Sequence, residues 1–177
     1  NVLERQTLQN WDASVHVGQG GERLVLSLFE QLRNPNPWFR TVAVQDVTGD
    51  PVFQKLGIDF TWFVKAAGCT CAITVEVKAD RNDHTGNFFF ETVSDVEKNT
   101  LGAFLSSTAE WYFYAFPNTE TIYCLPLYDT REWFLDTMDP SRERAVGSVR
   151  DGRAWQTLGV PVPIKQVLAN VPHAKCF

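Results

Sequence analysis

The run Cys71–Lys78 constrains this chain more than any other segment. Cys71, Ile73, Val75 and Val77 alternate with Ala72, Thr74, Glu76 and Lys78, and a period of two belongs to a β-strand whose successive side chains point to opposite faces. One face is wholly apolar and has to be covered by a second layer. The other carries a carboxylate and an ammonium two residues apart, projecting the same way. Upstream, Val25, Leu28, Phe29 and Leu32 recur at spacings of three and four and predict a helix over Glu22–Arg33. Gly18-Gln19-Gly20-Gly21 reads as the loop before it and Asn34-Pro35-Asn36-Pro37 as its stop. Glu22 then falls in the first turn, where its plainer role is to complement the helix dipole.

Strands are expected on either side of a turn at Thr48-Gly49-Asp50-Pro51. Phe39–Asp46 is the first and Ile58–Lys65, opened by Gly57, the second. Ala66-Ala67-Gly68 turns the second into Cys71–Lys78. After a polar loop over Asp80–Asn87 comes a strand at Asn87–Thr92, then a short helix over Leu101–Ala109. Trp111–Phe116 and Thr121–Leu127, aromatic and β-branched, form a hairpin around Pro117-Asn118-Thr119. Asp129 reads as the cap of a helix over Thr130–Met138. Arg142–Arg153 is mixed in character, and Ile164–Val171 is amphipathic. The order is that of an α/β fold with a mixed central sheet flanked by helices.

With 177 residues, 44% hydrophobic and 13% aromatic, one domain with a sizeable core is expected, and general disorder is excluded. No apolar run approaches the ~18 residues of a membrane span. Asn1–Asn10 is polar, so a cytoplasmic protein without a signal peptide is expected, its four cysteines free thiols. The net charge of −5 sits poorly with a polyanionic partner, which draws on Lys and Arg. Carboxylates that are neutralised by bound cations lessen that objection, and a local basic face would remove it.

Asp59 opens one strand of the predicted meander, while Glu76 and Lys78 share a face of its neighbour. Two carboxylates with a main-chain carbonyl, such as that of Val77, make a hard oxygen set for Mg²⁺ or Mn²⁺. Such an ion activates water and neutralises phosphate, and an adjacent lysine orients the attacking water. Asp59, then Glu76-Val77-Lys78, resembles the motif of the PD-(D/E)XK nuclease superfamily, whose restriction-endonuclease-like core has the order α-β-β-β-α-β. Ile58 stands where the family often has proline. Gly21-Glu22-Arg23 is similar to the first-helix glutamate of the family's resolvase branch. Thr85-Gly86-Asn87 with Phe88–Glu91, and Thr108-Ala109-Glu110-Trp111-Tyr112, resemble later segments of phage-type members. The resemblance covers about 18–127, with 128–177 as a C-terminal extension. It implies a metal-dependent DNA endonuclease with catalytic Asp59, Glu76 and Lys78. The metal would be held by Asp59, Glu76, Val77 and Glu22, with Glu91 and Asp80 as auxiliary groups. A Holliday-junction resolvase, working as a homodimer, is the first specific expectation. Restriction, repair or RNA-processing nucleases and a non-catalytic binding module on the same fold are the alternatives.

Plainer readings stand beside these. Glu76 and Lys78 could be a surface ion pair worth little, and Glu91 a strand-end surface residue. Asp80, Asp83 and His84 read as a solvated loop. Ser94, Lys98 and Asn99 lie where a substrate backbone would run. Cys69, Cys71, His173 and Cys176 could bind zinc, but a C-x-C spacing is not that of a zinc knuckle. His16, near Trp11, reads as a surface or packing residue. Trp38, Trp62 and Trp111 are expected in the core rather than as base-stacking platforms.

Overall fold

The helix predicted over Glu22–Arg33 is the second half of a longer one. The computed structural model describes residues 2–33, 38–150 and 153–177, with side chains at 16–33, 38–147 and 154–177. In it, α1 spans Val2–Gln31 and runs straight through Gly18, Gly20 and Gly21. The expected glycine loop is therefore helical. Glycine costs a helix about 1 kcal/mol per residue, and packing explains why it is kept: a Cβ on Gly21 would lie 2.6 Å from the Cβ of Ala79. The glycine lets the helix close onto the sheet. Glu22 consequently sits in mid-helix, which removes the dipole explanation. The Asn34–Pro37 stop and the Trp11 side chain lie outside the described residues.

Three antiparallel strands follow: β1 (Phe39–Asp46), β2 (Phe60–Ala66) and β3 (Cys69–Ala79). Where only a turn was expected before β2, a helix also forms, α2 (Pro51–Leu56). Asp50 Oδ1 caps it by accepting from Val52 N at 2.8 Å and Phe53 N at 3.4 Å, Pro51 opens it, and Gly57 closes it at φ 63°. The Ala67-Gly68 turn lies in the left-handed region as expected. Next come β4 (Asn87–Asp95), β5 (Thr100–Leu101), α3 (Ala103–Ser106), β6 (Trp111–Phe116) and β7 (Thr121–Pro126). The helix expected over Leu101–Ala109 is thus one turn, because Leu101 pairs with Val93. The chain ends with α4 (Leu127–Thr137), β8 (Arg144–Arg150), β9 (Arg153–Pro163), α5 (Ile164–Asn170) and β10 (Lys175–Cys176). Pro126, not Asp129, occupies the N-cap of α4. Of the mixed Arg142–Arg153 segment, Arg142 ends a 3₁₀ turn, Arg144–Arg150 form β8 and Arg153 opens β9, its antiparallel partner.

The main sheet has six strands in the order β1-β2-β3-β6-β7-β10, and a second sheet has the order β5-β4-β9-β8. In the main sheet β3 and β6 are parallel, Glu76 lying beside Tyr112, and the other pairings are antiparallel. A parallel pair needs a crossover, and here it runs through β4, β5 and α3 instead of a long helix. The protein is therefore α/β with a mixed sheet flanked by helices, to which a second sheet is added.

The two faces of the main sheet are covered differently. On one, Val25, Leu28 and Phe29 of α1 pack on Phe60, Trp62, Val64, Val75 and Phe113, with Phe29 stacked on Trp62 at 4.7 Å. On the other, Tyr112, Tyr114, Phe116 and Leu125 meet Phe88, Phe90, Val160 and Val162 of the second sheet. Phe134, Val167 and Val171 join that core, so residues 128–177 are built into the same packed body. Trp62 is in the core and Trp111 packs against it. Trp38, expected in the core, is 74% exposed.

Candidate active site

Glu76 lies on β3 on the face away from α1, in line with Thr74 and Lys78. Asp59 precedes β2, and its backbone extends the β2–β3 pairing: Asp59 N donates to Val75 O at 2.9 Å, and Val47 N donates to Asp59 O at 2.9 Å. At Asp59 the ladder changes partner. The N–H of Val77 donates to the Asp59 carboxylate, Oδ2, at 2.7 Å. A strand residue turns its N–H and C=O to the same edge, so the Val77 carbonyl also faces the Asp59 side. Gly57 sets this geometry two residues upstream. Its φ of 63° and its closeness to Ser107, where a Cβ would lie 2.9 Å from Cα, leave room for glycine only. The Ser107 hydroxyl donates to Gly57 O at 2.7 Å.

The carboxyl groups of Glu22, Asp46, Asp59 and Glu76 influence one another electrostatically. Burial, then the charge of Asp59, pushes the Glu76 carboxyl up to about 8, with Lys78 opposing the rise. Glu76 and Asp59 share a side-chain hydrogen bond, in which the protonated Glu76 is the donor. Asp59 is itself raised by burial and by Asp46, while the Val77 N–H holds it down. Glu22 reaches the cluster from α1 and is raised by burial, by Asp59 and by Asp46. Asp46 ends β1, opposite Phe60, and its Oδ1 accepts from the Thr48 hydroxyl at 2.7 Å and from Thr48 N at 3.0 Å.

Lys78 projects beside Glu76, and its Nζ lies 3.2 Å from Glu91 Oε2, with the two side chains 30% and 15% exposed. Glu91 is thus a half-buried residue within β4, not a strand-end surface group. It reaches Lys78 where the two sheets meet. Gly102 keeps that point clear: a Cβ there would fall 2.8 Å from Glu91 Cγ and closer still to its carbonyl.

Asp80 lies apart from the cluster and does structural work. The Tyr114 hydroxyl donates to Asp80 Oδ2 at 2.7 Å and accepts from Phe89 N at 3.0 Å, joining the end of β3 to β6 and β4. Asp83 and His84 lie in a single 3₁₀ turn, His84 exposed as expected of a solvated loop. Ser94 donates to Thr100 O and Leu101 O, and Lys98 lies 3.6 Å from Asp95; these contacts shape the β4–β5 turn. His16 is exposed. Cys69, Cys71 and Cys176 are exposed free thiols, so Cys71 is not covered despite lying on the apolar face. Among the described residues no three or more His, Cys, Asp or Glu side chains are grouped to hold a metal ion, neither Cys69, Cys71, His173 and Cys176 nor Glu22 together with Asp59 and Glu76.

Sequence reasoning missed Asp46 and Tyr112. Asp46 carried a signal, since it ends the strand that pairs with β2 at the level of Asp59. Tyr112 carried only its place in the hairpin and in the Thr108–Tyr112 resemblance. It stands beside Glu76, fully buried, and its hydroxyl has no hydrogen-bond partner among the described residues. Burial and the charge of Glu76 raise that hydroxyl well above its ordinary value.

A half-buried carboxyl pair with raised pKa values is the chemistry of a site short of positive charge. Mg²⁺ keeps several of its own waters and needs only one or two protein carboxylates, so Asp59, Glu76 and the Val77 carbonyl fit such an ion. Among the described residues no helix is long and apolar enough to cross a membrane. No family model matches the chain, and no curated protein or solved structure matches it either.

Proposed function

We propose that this chain is a metal-dependent endonuclease of the PD-(D/E)XK type, hydrolysing phosphodiester bonds in DNA. The observation that carries the reading is the half-buried Asp59–Glu76 carboxyl pair, bonded to the Val77 N–H through Asp59 and set beside Lys78 on one face of β3. Helix α1, the β1–β2–β3 meander and the parallel β6 follow the order of the restriction-endonuclease-like core. In place of its second long helix stand β4, β5 and α3.

Asp59, Glu76 and the Val77 carbonyl would hold Mg²⁺ or Mn²⁺, with Glu22 and Asp46 adding negative charge around it. When bound, the ion supplies an activated water and neutralises the phosphate. Asp59 is fixed by the Val77 N–H, so one ligand is oriented before substrate arrives. Glu91 holds the Lys78 ammonium beside Glu76, where it stabilises the charge that builds on the phosphate. Tyr112, buried against Glu76, excludes water from the inner side of the pair. A junction-resolving activity is the specific form we favour, and it calls for two copies of the chain cutting two strands together.

The test is cleavage of a four-way junction, a plain duplex and single-stranded DNA with Mg²⁺ or Mn²⁺, wild type beside Glu76→Ala, Asp59→Asn and Lys78→Ala. Metal-dependent cutting that each substitution reduces by about 10²-fold or more is the expected result. Full activity in Asp59→Asn or Lys78→Ala would defeat the role assignment. No cutting and no metal binding by a folded wild type would leave a binding module.

A further inference from the structure

The half of the main sheet that the second sheet leaves open has a charge pattern of its own. The core between the two sheets draws on β6 and β7 and on no residue of β1 or β2. On the face away from α1, the cross-strand rows over β1, β2 and β3 are therefore Gln45–Thr61–Thr74, Ala43–Phe63–Ala72 and Arg40–Lys65–Thr70. All nine residues are half-buried or exposed, and Glu76 and Lys78 continue the same face along β3.

Arg40 and Lys65 lie directly opposite each other in the antiparallel register. Like charges so placed destabilise a strand pair, and neither side chain forms an ion pair with a described residue. The threonine hydroxyls around them are neutral donors. Beside this face Glu110 Oε2 accepts from Thr74 N at 2.9 Å and Thr74 Oγ1 at 3.3 Å, and the Asp59–Glu76 carboxyls lie at its other end. Lys65 stands level with Thr70, six residues along β3 from Glu76. That is about 20 Å at ~3.3 Å per residue, or roughly six base-pair steps of duplex.

We infer that this open face of β1–β3 is a track for a nucleic-acid backbone, with Arg40 and Lys65 contacting phosphates about 20 Å from the carboxyl pair. The inference rests on the nuclease reading for the identity of its polyanion. Charge complementarity and continuity with Glu76 and Lys78 select a nucleic-acid strand over other occupants. The track also answers the objection raised by the net charge of −5: what meets the substrate is a local basic end, not the average surface.

The experiment is equilibrium binding of a fluorescein-labelled 20-mer, duplex and single-stranded, across a salt series. It is run in EDTA and again in Ca²⁺, on wild type and Arg40→Gln/Lys65→Gln. Each lost phosphate contact lowers the slope of log K against log salt by about 0.9 on duplex or 0.7 on single strands. The double variant should therefore lose about 1.8 or 1.4 of slope. On duplex, the wild type then loses about twelvefold more affinity than the variant between 50 and 200 mM salt. Lys55→Gln/Lys165→Gln removes the same charge from exposed positions on α2 and α5 and should leave the slope unchanged. Equal slopes in wild type and the Arg40/Lys65 variant overturn the inference while leaving the nuclease reading standing if the wild type still cuts. A wild type that neither binds nor cuts overturns both. A change of oligomeric state in sedimentation, with nucleic-acid binding unaltered, would assign the face to a second copy of the chain and also overturn it.

Discussion

Substituting Glu76 by glutamine should make the metal-free protein more stable at pH 8 and leave it nearly unchanged at pH 4.5. The Glu76 carboxyl is pushed from an ordinary 4.5 up to about 8 in the folded chain, by burial and by Asp59. A group whose folded pKa is raised favours folding fully below its unfolded value, and the benefit is lost as pH climbs to the folded value. Here the window runs from 4.5 to about 8. Each unit is worth ~1.4 kcal/mol, so the wild type should lose on the order of 5 kcal/mol more than Glu76→Gln across that window. For a chain of this length, that is a difference in Tm shift of roughly 10–20 °C. Asp59 and Glu22 are also raised and add loss of the same sign to both proteins; Asp59 and Glu76 are coupled, so the difference reports on the pair. The assay is urea denaturation in EDTA at several pH values, read by tryptophan fluorescence. Parallel losses in the two proteins would refute the half-buried, proton-sharing pair. Mg²⁺ at a hundred times its Kd should then restore about 2.7 kcal/mol at pH 8 to the wild type and much less to Glu76→Gln.

Two neighbouring tyrosines should respond to loss of their hydroxyls in opposite directions. Tyr112→Phe removes a buried hydroxyl with no partner and should stabilise the fold by about 1 kcal/mol; destabilisation of that size in urea would show that the hydroxyl is satisfied. Tyr114→Phe removes the donor to Asp80 Oδ2 and the acceptor of the Phe89 N–H and should cost about 1–3 kcal/mol in the same assay. Gly57→Ala meets both a positive φ and Ser107. It should cost upwards of about 1 kcal/mol and lower cleavage with it, since Gly57 places Asp59; a fully stable, fully active variant would sink that link.

The meander was legible because each of its strands reports on its own neighbourhood. β1 lies where the alternation puts it, and β3 exceeds its predicted span by two residues at the start and one at the end. The Glu76/Lys78 face follows from period two alone. α2 was also written in the sequence: an aspartate, a proline and, six residues on, a glycine are its cap, first turn and stop. Reading that aspartate and proline as a turn hid it. The start of α1 could not be seen, because glycines signal a loop until the Ala79 surface that requires them is known. Glu91 and the second sheet were hidden for a different reason. β4 pairs with β9, some 70 residues away, and nothing local in Phe88-Phe89-Phe90 tells which sheet it joins. Asp46 and Tyr112 enter the site through cross-strand register, which no single segment records.

The crossover through the second sheet also fixes when, during synthesis, the site can be completed. Glu91 holds Lys78 from β4, and β4 pairs along Asn87–Val93 with β9, whose residues are Arg153–Pro163. A ribosome that has released the chain only to β7 has delivered Asp59, Glu76 and Lys78, but β4 still lacks its main pairing partner. At 5–20 residues per second, several seconds pass before β9 emerges. Through that interval the nascent chain holds the carboxyl pair beside a lysine whose anchor is not yet in place. Assembly of the site thus waits on the emergence of β9.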